Sequence, residues 1–280
     1  MSDEVVSGEV VRHFCQVASL RLGVEISPSA EALVAGRVAK RLLLLQVPLD
    51  EYLSRLEEDR DCEEIVGFLD FVRPRAARFF ARRSDHARLH ALIRNGLHAG
   101  RRRFRLWSAG CGSGEEPYAM ALSALDTIES MQIPPAAVDL KILASDLSPR
   151  MLERGQQGVF DDAQVCDVPA RLRDRCFFDT DEGVAIAQEI KSLIVFRRLN
   201  LAHPPFPMRG PLDAIFCHEG LAHLAPPARR RALAAARALL GEPGVLCTGL
   251  PEHEDADGDD GDEAAWRDGL AGSSRPLGHC

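Results

Sequence analysis

The sequence has only three lysines, Lys40, Lys141 and Lys191, so nearly all of its positive charge is arginine. Aromatic residues make up 6%, with two tyrosines and two tryptophans. That is poor provision for stacking bases along a single strand. No apolar run approaches the ~18 residues of a membrane span. The opening Met1-Ser2-Asp3-Glu4 lacks the positive and apolar regions of a secretory signal, so a cytoplasmic protein is expected. The eight cysteines, at 15, 62, 111, 166, 176, 217, 247 and 280, form no Cys-x-x-Cys pair. Plain thiols in a reducing compartment are expected, and no metal site.

What is present is ordinary globular material. The 280 residues are 46% hydrophobic and 27% charged, enough for a buried core. The net charge of -8 comes from one place. Glu252 to Glu263 holds eight acids and no Lys or Arg, and without it 34 acids balance 34 bases. A neutral body makes nucleic acid an improbable partner on totals. Asp255-x-Asp257-x-Asp259 imitates a calcium loop, but Asp260 and Trp266 stand where glycine and glutamate are needed. A disordered acidic tail is expected there.

Apolar residues at 10, 11, 14, 17 and 18 recur at helical spacing. Further helices are expected over about 30–45, from Pro48 with Tyr52, Leu53 and Leu56 inward, and through Ile65, Leu69 and Val72. This predicts a small all-helical unit. From Arg105 the pattern changes to strands at 105–108, 138–144, 194–196, 212–217 and 244–249, with helices at 116–128, 151–157 and 228–240. Strands alternating with helices predict a doubly wound, Rossmann-like α/β domain with its site at the carboxyl ends of the strands. The expected division is 1–85 helical, 86–252 α/β and 253–280 tail. Between the units, Phe71 to Arg105 holds eleven arginines and one acid, Asp85. This stretch reads either as a surface for nucleic acid or an acidic protein partner, or as solvated helix faces, and the lack of interleaved aromatics counts against nucleic acid.

The most informative run is Trp107-Ser108-Ala109-Gly110-Cys111-Gly112-Ser113-Gly114-Glu115-Glu116-Pro117-Tyr118. It is a strand, a glycine-rich turn and a helix start. Gly110, Gly112 and Gly114 let backbone approach a ligand. A pyrophosphate loop keeps the helix start clear of acids, whereas here two carboxylates follow the glycines. They suit a ligand with positive charge and hydroxyls, and S-adenosyl-L-methionine (SAM) has an ammonium, a sulfonium and a ribose. Asp146, directly after the second strand, is placed to accept both ribose hydroxyls, or else to cap the next helix.

These residues resemble the CheR-type chemotaxis receptor methyltransferases, SAM-dependent enzymes that methylate protein glutamates. The resemblance covers about residues 10–252. It rests on the 107–118 run, on Ala144-Ser145-Asp146, on Asn200-Leu201, on Asp213-Ala214-Ile215-Phe216-Cys217, and on Asp50-Glu51-Tyr52-Leu53 with Phe79-Phe80. It implies a Rossmann-like SAM-dependent methyltransferase domain preceded by a helical one. Gly110 and Glu116 would lie against the methionine part, Asp146 would hold the ribose, and Asn200 and Leu201 would flank the adenine. Cys217 and His218 would close the pocket. The implied partner is a chemoreceptor-like cytoplasmic coiled coil met by the basic face Arg37, Lys40 and Arg41, with the enzyme a monomer.

The sequence departs from the family at informative places. Where the family reads Asn-x-Thr-x-Phe-Phe-Arg, this chain reads Arg75-Ala76-Ala77-Arg78-Phe79-Phe80-Ala81. The family's Phe-Cys-Arg-Asn-Val-x-Ile-Tyr-Phe becomes Phe216-Cys217-His218-Glu219-Gly220-Leu221-Ala222-His223-Leu224. Arg82 is then the candidate to orient the acceptor carboxylate and His223 the candidate to replace the tyrosine, as catalytic residues. The same departures leave open a non-catalytic relative that binds SAM, S-adenosylhomocysteine or only a protein. At Phe177 to Val184 a terse connection is expected, without the β insertion that grips a receptor peptide in some members.

Overall fold

The computed structural model describes residues 8–27, 30–59, 62–72 and 78–249. The acidic tail and Arg75-Ala76-Ala77 lie outside the described residues. Four helices come first: α1 (Gly8–Leu22), α2 (Glu31–Leu45), α3 (Leu49–Glu58) and α4 (Glu63–Val72). The helical spacing of Val10, Val11, Phe14, Val17 and Ala18 puts all five on the buried face of α1. Phe14 meets Phe68 of α4 edge to face, centroids 5.4 Å apart.

Two of the three residues of the basic face predicted on α2 turn toward α4. Arg41 Nε donates to both carboxylate oxygens of Glu64 on α4, at 2.8 and 2.9 Å. Arg37 turns the same way: a Cβ on Gly67 of α4 would meet its guanidinium at 3.3 Å. Spacing of three and four puts Arg37, Lys40 and Arg41 on one face, and of these Arg37 and Arg41 lie against α4. Lys40 is exposed.

The α/β part is built on α5 (Arg83–His98), β1 (Arg103–Ala109), α6 (Glu115–Ser130), β2 (Asp139–Asp146), α7 (Pro149–Gln157), β6 (Ile194–Arg198), β7 (Leu212–Phe216), the short α11 (Glu219–Ala222), α12 (Pro226–Arg237) and β8 (Leu240–Cys247). The five strands run in the order β6-β2-β1-β7-β8, and every pair is parallel. Successive residues of β1 alternate between faces. Phe104 and Leu106 join the core shared with α5 and α6. Trp107 and Ala109 join the core that continues into α1–α4. The helical unit thus shares one apolar core with a face of the sheet.

Between β2 and β6 the chain is richer than expected. β3 (Val159–Phe160), β4 (Phe177–Thr180) and β5 (Gly183–Ile186) form a three-stranded antiparallel sheet in the order β3-β5-β4, linked by α8 (Asp162–Val165), α9 (Ala170–Cys176) and α10 (Gln188–Lys191). The expected terse connection is therefore a β hairpin with a third strand. Strands of two to four residues are too short to show alternation in sequence. Part of the arginine stretch is structural. Arg101 pairs with Asp213 and Arg105 with Asp139, both bridging sheet strands and their flanks. Among the described residues, no helix is long and apolar enough to cross a membrane.

Candidate active site

Strand order reverses at β1: the chain leaves it toward β2 on one side and returns on the other as β7. Loops after β1 and β7 therefore part at the crevice where such folds bind ligands. Here they touch. A Cβ on Gly110 (φ +82°) would lie 2.2 Å from Gly220 Cα, so only glycine lets the two loops cross. A Cβ on Gly114 would meet Gly155 and Tyr118 at 3.1 Å. These two glycines serve packing. Gly112 is the open one: a Cβ there meets nothing within 4 Å, so the loop tip faces the space a ligand would enter.

Asp146 ends β2 and is 1% exposed. Its Oδ2 accepts the Gly112 N–H at 3.0 Å and its Oδ1 accepts the Ser148 N–H at 2.9 Å. The alternative of a helix cap is removed, because Ser148 caps α7 through its own side chain. A carboxylate has about four acceptor positions, so this anchoring is compatible with hydroxyl donors from a ligand.

Two cavities meet at Gly110 and Glu219. One, of about 40 Å³, is bounded by Asp146, Asn200, Leu201 and His223 together with Leu22 and Val24 from the helical unit. It adjoins an outer cleft of about 530 Å³ that shares Leu22, Leu147, Leu199 and Asn200. The other cavity, of about 150 Å³, is bounded by Arg82, Gly112, Glu115, Glu116 and His218. The structure thus brings Asp146, Asn200, Leu201 and His223 together on one side of the glycine loop, and Arg82, Glu116 and His218 on the other. The exposed Arg82 precedes α5, with its guanidinium against Gly249. Cys217 is placed differently: it is buried in the sheet core with Trp107 and Ile215, its N–H donating to Cys247 O at 2.8 Å. Burial pushes its thiol well above the ordinary range.

The acidic pair divides its work. Glu115 is 1% exposed and accepts hydrogen bonds from Ser113 Oγ (2.8 and 3.0 Å) and from Gln164 Nε2. Burial raises its pKa above the ordinary carboxylate value. Glu116 Oε1 accepts Ser108 Oγ at 2.5 Å, and Oε2 receives His218 Nδ1 at 2.5 Å. The other nitrogen of His218 lies 2.7 Å from Asp85 Oδ2 in the first turn of α5. Burial by itself lowers the imidazole pKa, but hydrogen bonds and charge from Asp85 and Glu116 outweigh it and bring it from 6.5 to about 9. His218 is therefore an imidazolium at neutral pH, between two carboxylates. Asp85, although burial opposes it, is held below its ordinary pKa by His218. His86 beside it is the opposite case. It is fully enclosed, within 2.9 Å of Ser123 Oγ, and burial drives its pKa down to about 4, so it is neutral.

Sequence reasoning missed Asp85, Ser108, Ser148 and Gly220 as site members. Asp85 carried one signal, as the lone acid among eleven arginines.

Residues 76–260 match the family described as CheR methyltransferase, SAM binding domain. The chain belongs to the CheR methyltransferase family. Among its relatives, chemotaxis protein methyltransferase 2 of Pseudomonas aeruginosa is 31% identical over 236 residues, covering 82% of this chain and 81% of that protein. The chemotaxis protein methyltransferase of Salmonella typhimurium is 28% identical over 249 residues, covering 86% and 83%. That of Escherichia coli is 28% identical over 252 residues, covering 86% and 84%. The residues present fit SAM, the cofactor of the matched domain: an open glycine tip, an anchored carboxylate at the end of β2, and acids on the side of the loop opposite Asn200 and Leu201.

Proposed function

We propose that this CheR-family chain transfers a methyl group from SAM to glutamate side chains of a chemoreceptor-like cytoplasmic coiled coil. The observation that carries the reading is the convergence of the Gly110–Gly114 loop, Asp146 and Glu116 at the switch point of a domain matching the family's SAM-binding domain. When bound, SAM supplies an electrophilic methyl group on a sulfonium. Asp146 accepts the ribose hydroxyls. Asn200 and Leu201 flank the adenine, and the loop with Glu116 lies against the methionine part. His218 keeps Glu116 fixed and lowers the repulsion between Glu116 and Asp85.

A glutamate acceptor is ionised at neutral pH, with a reference pKa of about 4.3, so no general base is needed. The rate then rests on orientation. Arg82 at the rim of the Glu116 cavity offers a fork that matches a carboxylate. His223, in the neighbouring cavity, offers a hydrogen-bond donor. The exposed Lys40 contributes to the surface that meets an acidic helix.

The test is calorimetry with SAM and S-adenosylhomocysteine, then labelled methyl transfer to receptor cytoplasmic fragments. Absence of SAM binding at millimolar concentration overturns the reading. Binding without transfer selects a non-catalytic SAM-binding relative, which the alanine at position 81 in place of the family's arginine favours.

A further inference from the structure

Ser148 connects two parts of the molecule that no local pattern links. Its Oγ caps α7 by accepting the Met151 N–H at 3.2 Å. A hydroxyl that accepts there still has its own proton to donate. That proton goes to Asp70 Oδ2 on α4, at 2.6 Å. The backbone N–H of the same Ser148 goes to Asp146 Oδ1 at 2.9 Å, and Asp146 Oδ2 receives the Gly112 N–H at 3.0 Å. Asp70, Ser148, Asp146 and Gly112 thus form one hydrogen-bonded series from the helical unit to the tip of the glycine loop. Ser148 and Asp146 are each 1% exposed. Leu69, next to Asp70, is buried and bounds the same cavity as Asp146.

An N-cap serine needs no carboxylate on its far side. The feature to be explained is that α4 sends one there, beside the acid assigned to the cofactor. A hydrogen bond from the hydroxyl to a side-chain oxygen at 2.6 Å fixes the hydroxyl rotor. A fixed Ser148 in turn fixes the N–H that Asp146 accepts.

We propose that Asp70 is a positioning residue for the cofactor carboxylate: through Ser148 it holds Asp146 in the orientation that receives the ribose hydroxyls, so the seating of α4 sets SAM affinity. The proposal rests on the assignment of Asp146 to the ribose. It makes the helical unit part of the cofactor site, and it couples the unit that would meet the protein substrate to the grip on SAM.

The test uses the full chain and calorimetry with two ligands, SAM and its 2′,3′-dideoxy analogue. Asp70→Ala is expected to weaken SAM about tenfold, and Asp70→Asn, which keeps an acceptor oxygen, by less than about twofold. For the dideoxy analogue, Asp70→Ala and the native chain are expected to bind equally, because the hydroxyls that Asp146 receives are gone. Ser148→Ala, which removes the O–H link and leaves the N–H, should show the same discrimination and serves if Asp70→Ala does not fold. Unchanged SAM affinity in Asp70→Ala, or equal losses for both ligands, overturns the proposal. Asp146→Ala run alongside keeps the two readings apart. If it binds SAM normally, the ribose assignment fails. If it loses SAM while Asp70→Ala does not, only the role of Asp70 fails.

Discussion

Replacing His218 with alanine removes the cation between Asp85 and Glu116. The side chains concerned are 9, 13 and 21% exposed, and the contacts are 2.7 and 2.5 Å. The native imidazole titrates at about 9 instead of 6.5. A folded-state pKa raised above the unfolded value stabilises fully below the unfolded value and loses that contribution as pH rises through the folded one. The full contribution is about 3 kcal/mol, and about 2 kcal/mol of it disappears between about pH 7 and pH 9. In His218→Ala the two carboxylates face each other without a cation, which costs about 3–5 kcal/mol at neutral pH. As pH falls toward about 5 the variant recovers, because one repelled carboxyl takes up a proton. As pH rises past about 9 the native chain loses its own cation. The stability difference should therefore peak near about pH 6–7 and shrink on both sides. Urea unfolding of both proteins at a series of pH values measures it. A difference that is flat with pH, or below about 1 kcal/mol throughout, would refute the charge argument and leave only the lost volume of the ring.

Four further outcomes are expected. Asp146→Ala should weaken SAM at least about tenfold in calorimetry, since it removes a charge-assisted acceptor. Gly110→Ala should destabilise the fold by about 1–3 kcal/mol in urea unfolding, because its Cβ would overlap Gly220 Cα at 2.2 Å and φ is +82°. Arg82→Ala should lower methyl transfer about tenfold while leaving SAM affinity within about twofold, a split read by comparing kinetics with calorimetry. Arg41→Ala should cost about 1–3 kcal/mol of stability by stranding the half-buried Glu64, and Arg41→Lys should not restore the two-oxygen contact.

The parts of this protein that can be read from its sequence are those written in short-range patterns. The run from Trp107 to Tyr118 shows its strand, turn and helix because apolar alternation, three glycines and an acidic helix start fall within twelve residues. The helices α1, α3 and α4 show buried residues at helical spacing. What stays hidden depends on partners far away in the chain. Arg41 shares a face with Arg37 by spacing, but Glu64, which takes up its charge, is 23 residues away on another helix. His218 reads as a lost arginine until Asp85, 133 residues distant, stands beside it. The glycines show a tight loop, yet sequence cannot distinguish Gly110, which makes room for Gly220, from Gly112, which faces open space. The three-stranded sheet of β3, β4 and β5 is missed because its strands are too short to alternate visibly.

The measurement that addresses the central claim most directly is transfer of a labelled methyl group from SAM to a purified receptor cytoplasmic fragment. The account predicts label on the fragment as a carboxyl methyl ester, released as methanol by base, and absent with Asp146→Ala. SAM bound by the native chain with no base-labile label on the fragment would contradict it.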